Sequence, residues 1–541
     1  MTRIINITLA VLSLAAAVKI SVDFLQMLLF ISRDFLNPDA LIYLTMGRGM
    51  LNGLVPYRDL FESKPPGIFY LGAISAWFHS FTFLRVLEVC NLVFLPVVCS
   101  LFAWRFWRKA IIPAFLFGAL LSLRAHENAG GLQSEIFGLI PAGLYIVSIV
   151  GFYDYRKKGW LLIRSLLFLA AISIREPYGI GMIAASLIVV RNWKDCRDLI
   201  VLPVLCAVPL LLILGGFSYI TIYIPSMILR VQEGINSPSE DYPLFVRLLW
   251  INRFFSSLTI FSTMSIFGYA VSLMWVSCVA KGKLSFALLI VGLIFIHEYY
   301  VLSIVLFKTS QMGISVWQTL TDSSFIRITI EYVIGSALYV SFAIYCLWKG
   351  IGKRVFLALL CVVLLSLSIS IGGYLWNYML YAFPALLCVL FLFLKQKQYR
   401  EIFVVLLCIA TLQFTYDERN FYSQTPGLVS KAHTLSKDLD AIMDSCGFKT
   451  YAYTGFFPEF ALSKYSPIGP MFIPYFHPYV GLEHELYAKT VENIRNAPLL
   501  IEPVKTPKGQ IFSVTDAFQG LTPPCAEGKK TPEGYRALYQ L

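Results

Sequence analysis

Six ionisable side chains crowd one short stretch of an otherwise apolar chain. Residues 37–70 read NPDALIYLTMGRGMLNGLVPYRDLFESKPPGIFY and hold Asp39, Arg48, Arg58, Asp59, Glu62 and Lys64. Asp39 follows Asn37 and Pro38. That order suits a helix start, with Asn37 capping, Pro38 in the first turn and an acid at the positive helix end. The same rigid seating suits a general base that takes a proton from an acceptor hydroxyl. Lys64 precedes Pro65-Pro66-Gly67. It is either a lysine snorkelling to an interface or a fixed cation for a phosphate. Arg58 is a second candidate cation, and Glu62 can pair with either.

Further polar groups stand out. Glu135 follows Gly130-Gly131, near His126 and Glu127, about a turn inside an apolar run where a lone carboxylate needs a partner. Arg175-Glu176 before Pro177 reads as a neighbouring ion pair or as a cation for a ligand. His297 and Glu298 sit within an apolar stretch, where they can line a cavity or bind each other. Trp376 lies in the aromatic cluster Tyr374–Tyr381.

The elements that must position these groups follow from composition. The 541 residues are 57% hydrophobic and 14% charged, against roughly 25% charged in soluble domains. The reading is an all-α polytopic membrane protein with a small soluble α/β domain at its C-terminal end. Thirteen spans are predicted, near 7–31, 81–104, 110–124, 131–152, 160–175, 178–191, 199–219, 254–279, 284–307, 328–348, 355–376, 378–394 and 401–416. Arg3 and the apolar run after it resemble a signal peptide. The run continues to Ile31, long enough to span, so it is read as an uncleaved first helix. Residues 66–80 are apolar but short, and read as an interfacial or re-entrant helix.

Charge sets the orientation. With the N-terminus inside, every second loop carries a basic cluster: Arg105/Arg108/Lys109, Arg156/Lys157/Lys158, Arg191/Lys194/Arg197, Lys281/Lys283, Lys349/Lys353/Arg354 and Lys395/Lys397/Arg400. Basic residues gather on cytoplasmic loops, which accounts for most of the net charge of +12 without nucleic acid. The Asp39–Lys64 loop, Glu135, Arg175 and the C-terminal region then lie outside. Residues 1–416 form the membrane part, with a catalytic first outer loop at 32–80, and 417–541 form the soluble domain. Within it, 428–445 and 484–495 are predicted helices, and 449–453 and 499–501 predicted strands. Of eleven cysteines, Cys446 and Cys525 alone fall outside on the outer side, which suggests a disulfide in an oxidising compartment. No zinc-ligand spacing, phosphate-binding Gly loop or nucleophile elbow occurs.

The stretch DALIYLTMGRGMLNGLVPYRDLFESKPPGIFYL resembles the first outer loop of membrane glycosyltransferases of the GT-C superfamily. The bacterial branch near protein O-mannosyltransferases and lipid A aminoarabinose transferases is the most similar. The residues that carry the resemblance are Asp39, Tyr43, Gly53, Pro56-Tyr57 and Lys64-Pro65-Pro66. GGLQSEIFGL at 130–139 resembles the family's second acidic segment, and GGYLWNYMLYAFPAL at 372–386 its late aromatic segment.

The resemblance implies a bacterial inner-membrane enzyme with its cavity at the outer face. The donor would be a polyprenyl-phosphate-linked sugar, and transfer would invert the sugar carbon. Asp39 would take the acceptor-facing catalytic position and Lys64 a donor-phosphate position. Arg58 or Arg175 would assist Lys64 with the leaving phosphate. Tyr43, Tyr57, Trp376, His297 and Glu298 would line the sugar or acceptor pocket. Relatives often carry a second acid after the first; here Ala40 follows. Glu135 is then the candidate second carboxylate, and use of a divalent metal stays open. The acceptor is a glycan, a lipid or a protein. A rival reading is a transporter or a flippase for lipid-linked glycans, although such proteins often carry internal repeats and midplane sites. An oligosaccharide ligase is the nearer enzymatic rival.

Overall fold

The computed structural model describes residues 2–31, 35–150, 159–190, 193–228, 384, 387–388, 425–453, 458–468, 491–504, 518–521 and 523–539. The spans expected between 254 and 376 and at 401–416 lie outside the described residues. So do His297, Glu298 and Trp376.

The chain opens with helix α1 (Thr2–Ile31) and a two-residue strand β1 (Phe35–Leu36). Helix α2 (Asp39–Leu51) starts where the sequence predicts, and the Asn37 Oδ1 accepts the Asp39 N–H at 2.9 Å. Helix α3 (Pro66–Trp77) has proline in its first turn, which needs no N–H there. It is 12 residues long and leaves Tyr70, Ile74, Trp77 and Phe78 exposed on or just past one apolar face. The α2 and α3 backbones touch. A Cβ on Gly72 would run into the Tyr43 carbonyl oxygen, and one on Gly47 into the Ala73 nitrogen. Only glycine permits this approach.

Next come α4 (Thr82–Phe106), α5 (Ile111–Ala129), α6 (Ser134–Phe137), α7 (Leu139–Val150), α8 (Gly159–Ile174), α9 (Pro177–Val189), α10 (Trp193–Cys196) and α11 (Leu202–Ser218). Among the described residues, two helical runs are long and apolar enough to cross a membrane: Thr82–Phe106 and Trp193–Ile228. Shorter apolar helices cover Ser134–Val150, Trp160–Ile174 and Pro177–Leu187. The described residues are mainly helical, with two runs of membrane length and a small sheet.

The predicted span 131–152 is not one helix. Gly131 and Leu132 take positive φ values of 77° and 71°. The buried Glu88 carboxylate accepts the N–H groups of both, at 2.9 and 3.3 Å. These bonds reward a turn, and the helix starts again only at Ser134.

The C-terminal region begins with strand β2 (Thr425–Pro426), then α12 (Leu428–Cys446), β3 (Thr450–Tyr453), β4 (Ser466–Ile468), β5 (Leu499–Pro503), β6 (Gln519–Leu521) and β7 (Tyr535–Tyr539). The last five form one mixed sheet in the order β4-β3-β5-β7-β6. β3 runs parallel to β4 and β5, whereas β7 is antiparallel to β5 and β6. The apolar side of α12, with Leu435, Leu439, Ile442 and Met443, packs in one cluster with Tyr451, Leu499 and Ile501. Gly447 ends the helix in the left-handed conformation, φ 65°, so that Phe448 N–H bonds back to Met443 O at 3.1 Å. β2 pairs antiparallel with β1, Leu36 opposite Thr425. This short ladder ties the C-terminal region to the segment just before Asp39.

Cys446, at the end of α12, is bonded to Cys525, with the Cα atoms 5.1 Å apart and 79 positions between them in sequence. Closing so long a loop restricts the unfolded chain and contributes about 4–5 kcal/mol in the chain-entropy treatment. Replacing both cysteines by serine is expected to lower the melting point of the C-terminal domain and speed tryptic cutting within 428–539. An unchanged melting point and digestion pattern would show that the bond adds no stability.

Candidate active site

Lys64 is the centre of the site. Its ammonium lies 3.6 Å from Asp39 Oδ2 and 3.4 Å from Glu62 Oε1. The Lys64 and Glu62 side chains are 10% and 1% exposed, whereas that of Asp39 is 32% exposed. Asp39 is therefore the carboxylate that an incoming molecule can reach. Burial opposes the Lys64 charge, but the surrounding Tyr43, Asp39 and Glu62 oxygens outweigh it and hold the ammonium above the ordinary lysine range. Burial pushes the Glu62 carboxyl up, and Lys64 partly offsets this. Glu62 was foreseen only as a partner for a cation. Its two-residue spacing from Lys64 in extended chain, which puts both on one side, is the sequence signal for more.

The backbone that carries Lys64 is anchored by Tyr57. The Tyr57 hydroxyl donates to the Lys64 carbonyl at 2.9 Å, and the Tyr57 N–H bonds to Leu60 O at 2.6 Å. Tyr57 adopts φ 66°, a left-handed conformation costly for a bulky residue. Its fully buried ring packs among Phe61, Phe69, Tyr219 and Tyr223, with centroid distances of 4.9–6.3 Å. Tyr57, expected in the sugar or acceptor pocket, has its ring in this cluster and its hydroxyl bonded to the loop. Arg58, expected to assist Lys64 with the leaving phosphate, pairs with its neighbour in this structure. It is exposed and grips its neighbour Asp59 with two bonds of 2.8 and 2.7 Å. Adjacent residues satisfy each other there before either can turn inward.

A second ion pair stands beside the first. Arg175 binds Glu135 in a short, two-pronged contact, with Nε at 3.1 Å. Ser134 Oγ donates to the other Glu135 oxygen at 3.0 Å, and Tyr178 Oη donates to the Glu135 carbonyl at 2.5 Å. The expected neighbour pair Arg175-Glu176 does not form in that way. Glu176 instead accepts the Tyr223 hydroxyl at 2.6 Å. Pro177 starts α9 at this point, so consecutive side chains leave the chain in different directions. Tyr178 and Tyr223 were not foreseen; Tyr178 carried one signal, its place directly after the Arg-Glu-Pro run.

Tyr43 joins the two pairs. It is fully buried on α2, within electrostatic reach of Lys64, Asp39, Glu135 and Arg175. Its hydroxyl and Glu62 Oε2 are buried without a hydrogen-bond partner. Buried polar atoms usually find partners, so these two are available to a ligand. Among the described residues, no three His, Cys, Asp or Glu side chains are grouped to hold a metal ion. Cys446 and Cys525 lie apart, in the C-terminal domain.

The site thus joins a reachable carboxylate, a buried ammonium, a second cation–carboxylate pair and two unfilled hydrogen-bonding atoms. No family profile, curated protein or solved structure matches the chain.

Arg175→Met would leave Glu135 buried without its cation, a change that costs about 3–5 kcal/mol for buried pairs. Adding Glu135→Gln is expected to recover part of the loss, measured by thermal unfolding of the purified protein. Additive losses in the double variant would show that the two residues act independently.

Proposed function

We propose that this chain is a polytopic membrane glycosyltransferase of GT-C type. It moves a sugar from a polyprenyl-phosphate donor to an acceptor hydroxyl at the outer face of a bacterial inner membrane. The thirteen-span layout, with the N-terminus in the cytoplasm, is part of the proposal. The observation that carries it is the meeting of Asp39 with Lys64, a reachable carboxylate 3.6 Å from a buried ammonium. These two residues also carry the family resemblance. The exposed apolar face of α3, with Tyr70, Ile74 and Trp77, suits a helix lying at a lipid interface. The β1–β2 ladder supports one common side for the first loop and the C-terminal domain.

The chemistry balances. The acceptor oxygen attacks the anomeric carbon from the face opposite the phosphate. The bond from that carbon to the phosphate oxygen breaks, and polyprenyl phosphate leaves with the bonding pair. The acceptor proton passes to the Asp39 carboxylate. Lys64 meets the charge that develops on the leaving phosphate. Its resting contacts of 3.4 and 3.6 Å exceed the 2.7–2.9 Å of a tight charged hydrogen bond. A phosphate can therefore compete for the ammonium, and in doing so it releases Asp39 to act as base. Tyr43 Oη and Glu62 Oε2, which have no hydrogen-bond partner, would bind hydroxyls of the sugar in this reading. Arg175 serves the site through Glu135.

Asp39→Asn is expected to fold normally and lose transfer by about 10²–10⁴-fold. The measurement is turnover of purified, folded protein with a lipid-phosphate sugar donor. Near-normal turnover removes Asp39 as the base.

Lys64→Ala is expected to weaken donor use, with Lys64→Arg retaining part of it, since arginine keeps the charge in a different donor geometry. Donor titration separates the variants. Unchanged affinity and turnover in Lys64→Ala would overturn the phosphate role. Mass spectrometry of surface glycans from a deletion strain identifies the sugar and the acceptor together.

A further inference from the structure

The C-terminal domain meets the helix that carries Asp39 at three points along its length. Just before the helix, β1 pairs with β2. Along it, Arg48 lies within electrostatic reach of Asp440 on α12. At its end, the Asn52 Nδ2 donates to Lys464 O at 3.1 Å and to Ser466 Oγ at 2.9 Å. The 13 residues of α2 span about 20 Å at 1.5 Å per residue. One domain therefore reaches both ends of one helix, through segments 38 or more positions apart in its own sequence.

Those contact points are themselves tied together. Ser463 Oγ donates to Asp440 at 2.5 Å, and Lys464 N–H reaches the other Asp440 oxygen at 3.5 Å. Asp440 thus holds the turn that presents Lys464 O and Ser466 Oγ to Asn52, while standing near Arg48. The Arg48 guanidinium also binds the Ala76 carbonyl in the last turn of α3 and His79 Nδ1 just beyond it. The contact with α3 through Gly47 and Gly72 fixes how closely the two helices approach. The C-terminal domain thus makes bonds at both ends of α2, the helix that carries Asp39.

We infer that the C-terminal domain is a positioning clamp for the candidate site, with Asn52 as its principal positioning residue. Asn52 touches neither Asp39 nor Lys64 and acts through the helix. The functional consequence rests on the transferase reading, but the mechanical one does not.

Hydrogen exchange by mass spectrometry on the full-length protein in detergent micelles tests it. Asn52→Leu and, from the other side of the contact, Ser466→Ala are compared with the natural protein. Losing the Asn52 bonds is expected to speed exchange across all of α2, including residues 40–43, by about tenfold. α4, α5 and the sheet amides of β3 and β5 should keep their rates, and Asn52→Gln, which retains the amide donor, should restore part of the protection. The two substitutions should be non-additive, because they break one contact. Faster exchange confined to residues 52–54, or no change, would overturn the clamp. In transfer assays, Asn52→Leu is expected to lower kcat about tenfold with donor KM unchanged, as a positioning defect does. If the natural protein shows no transfer from a lipid-phosphate sugar donor while Asn52→Leu loosens α2, the clamp stands and the transferase reading falls. A loss of donor KM with tight α2 exchange would overturn the clamp instead.

Discussion

A lysine ammonium removed from water must be met by charge or hydrogen bonds, or it costs several kcal/mol. Lys64 is such a group, and its surroundings are built to that requirement. Glu62 and Asp39 approach from two sides, one fully buried and one open to solvent. The loop that presents Lys64 is held by the Tyr57 hydroxyl, and Tyr57 itself is held in a left-handed backbone conformation by a cluster of aromatic rings. Strain of that kind persists only where surrounding packing enforces it. The sequence Lys-Pro-Pro then turns the chain directly into α3, which leaves little freedom between the cation and the helix that follows.

The neighbouring helices inherit this constraint. α2 must bring Asp39 to the ammonium, and it can do so only by lying against α3 at glycine contacts. The Glu88 carboxylate, buried in α4, forces residues 131–132 to turn and delivers Glu135 at the start of a short helix. Arg175 closes the set from the end of α8. Lys64 with its two carboxylates and the Arg175–Glu135 pair stand on either side of Tyr43. Tyr43 Oη and Glu62 Oε2 have no hydrogen-bond partner there, which is in keeping with the hydroxyl-bearing donor proposed above.

The C-terminal domain adds a long-range element. Part of its core is built from α12 and the mixed sheet alone, and its disulfide joins two segments of that unit. Yet its edge residues 425–426 and 464–466 are committed to the first loop. A domain that served only as a solvated appendage would not require contacts at both ends of α2.

Periodicity, proline and glycine placement were enough to find most described helices. α3, α4, α8, α9 and α12 begin and end within a few residues of their expected bounds, and α2 begins where expected, because apolar runs and prolines act locally. The chemistry-bearing loop was legible for the same reason: Asp39 and Lys64 stand out as charges in an apolar chain. Some pairing was legible, since Glu62 meets Lys64 and Cys446 meets Cys525 as the sequence suggests, but the partner of Arg175 was not. Arg175 chose Glu135, 40 positions away, over the adjacent Glu176, and Arg58 stayed with Asp59 at the surface. The turn at 131–132 depends on a carboxylate 43 positions upstream. Strands β4 and β6 have three residues each, too few to show an alternating pattern, and form only by pairing with β3 and β7. Composition and local pattern fix which segments are helical and where charge is unusual; only the folded chain decides which charges meet, since partner choice depends on distances that no local sequence encodes.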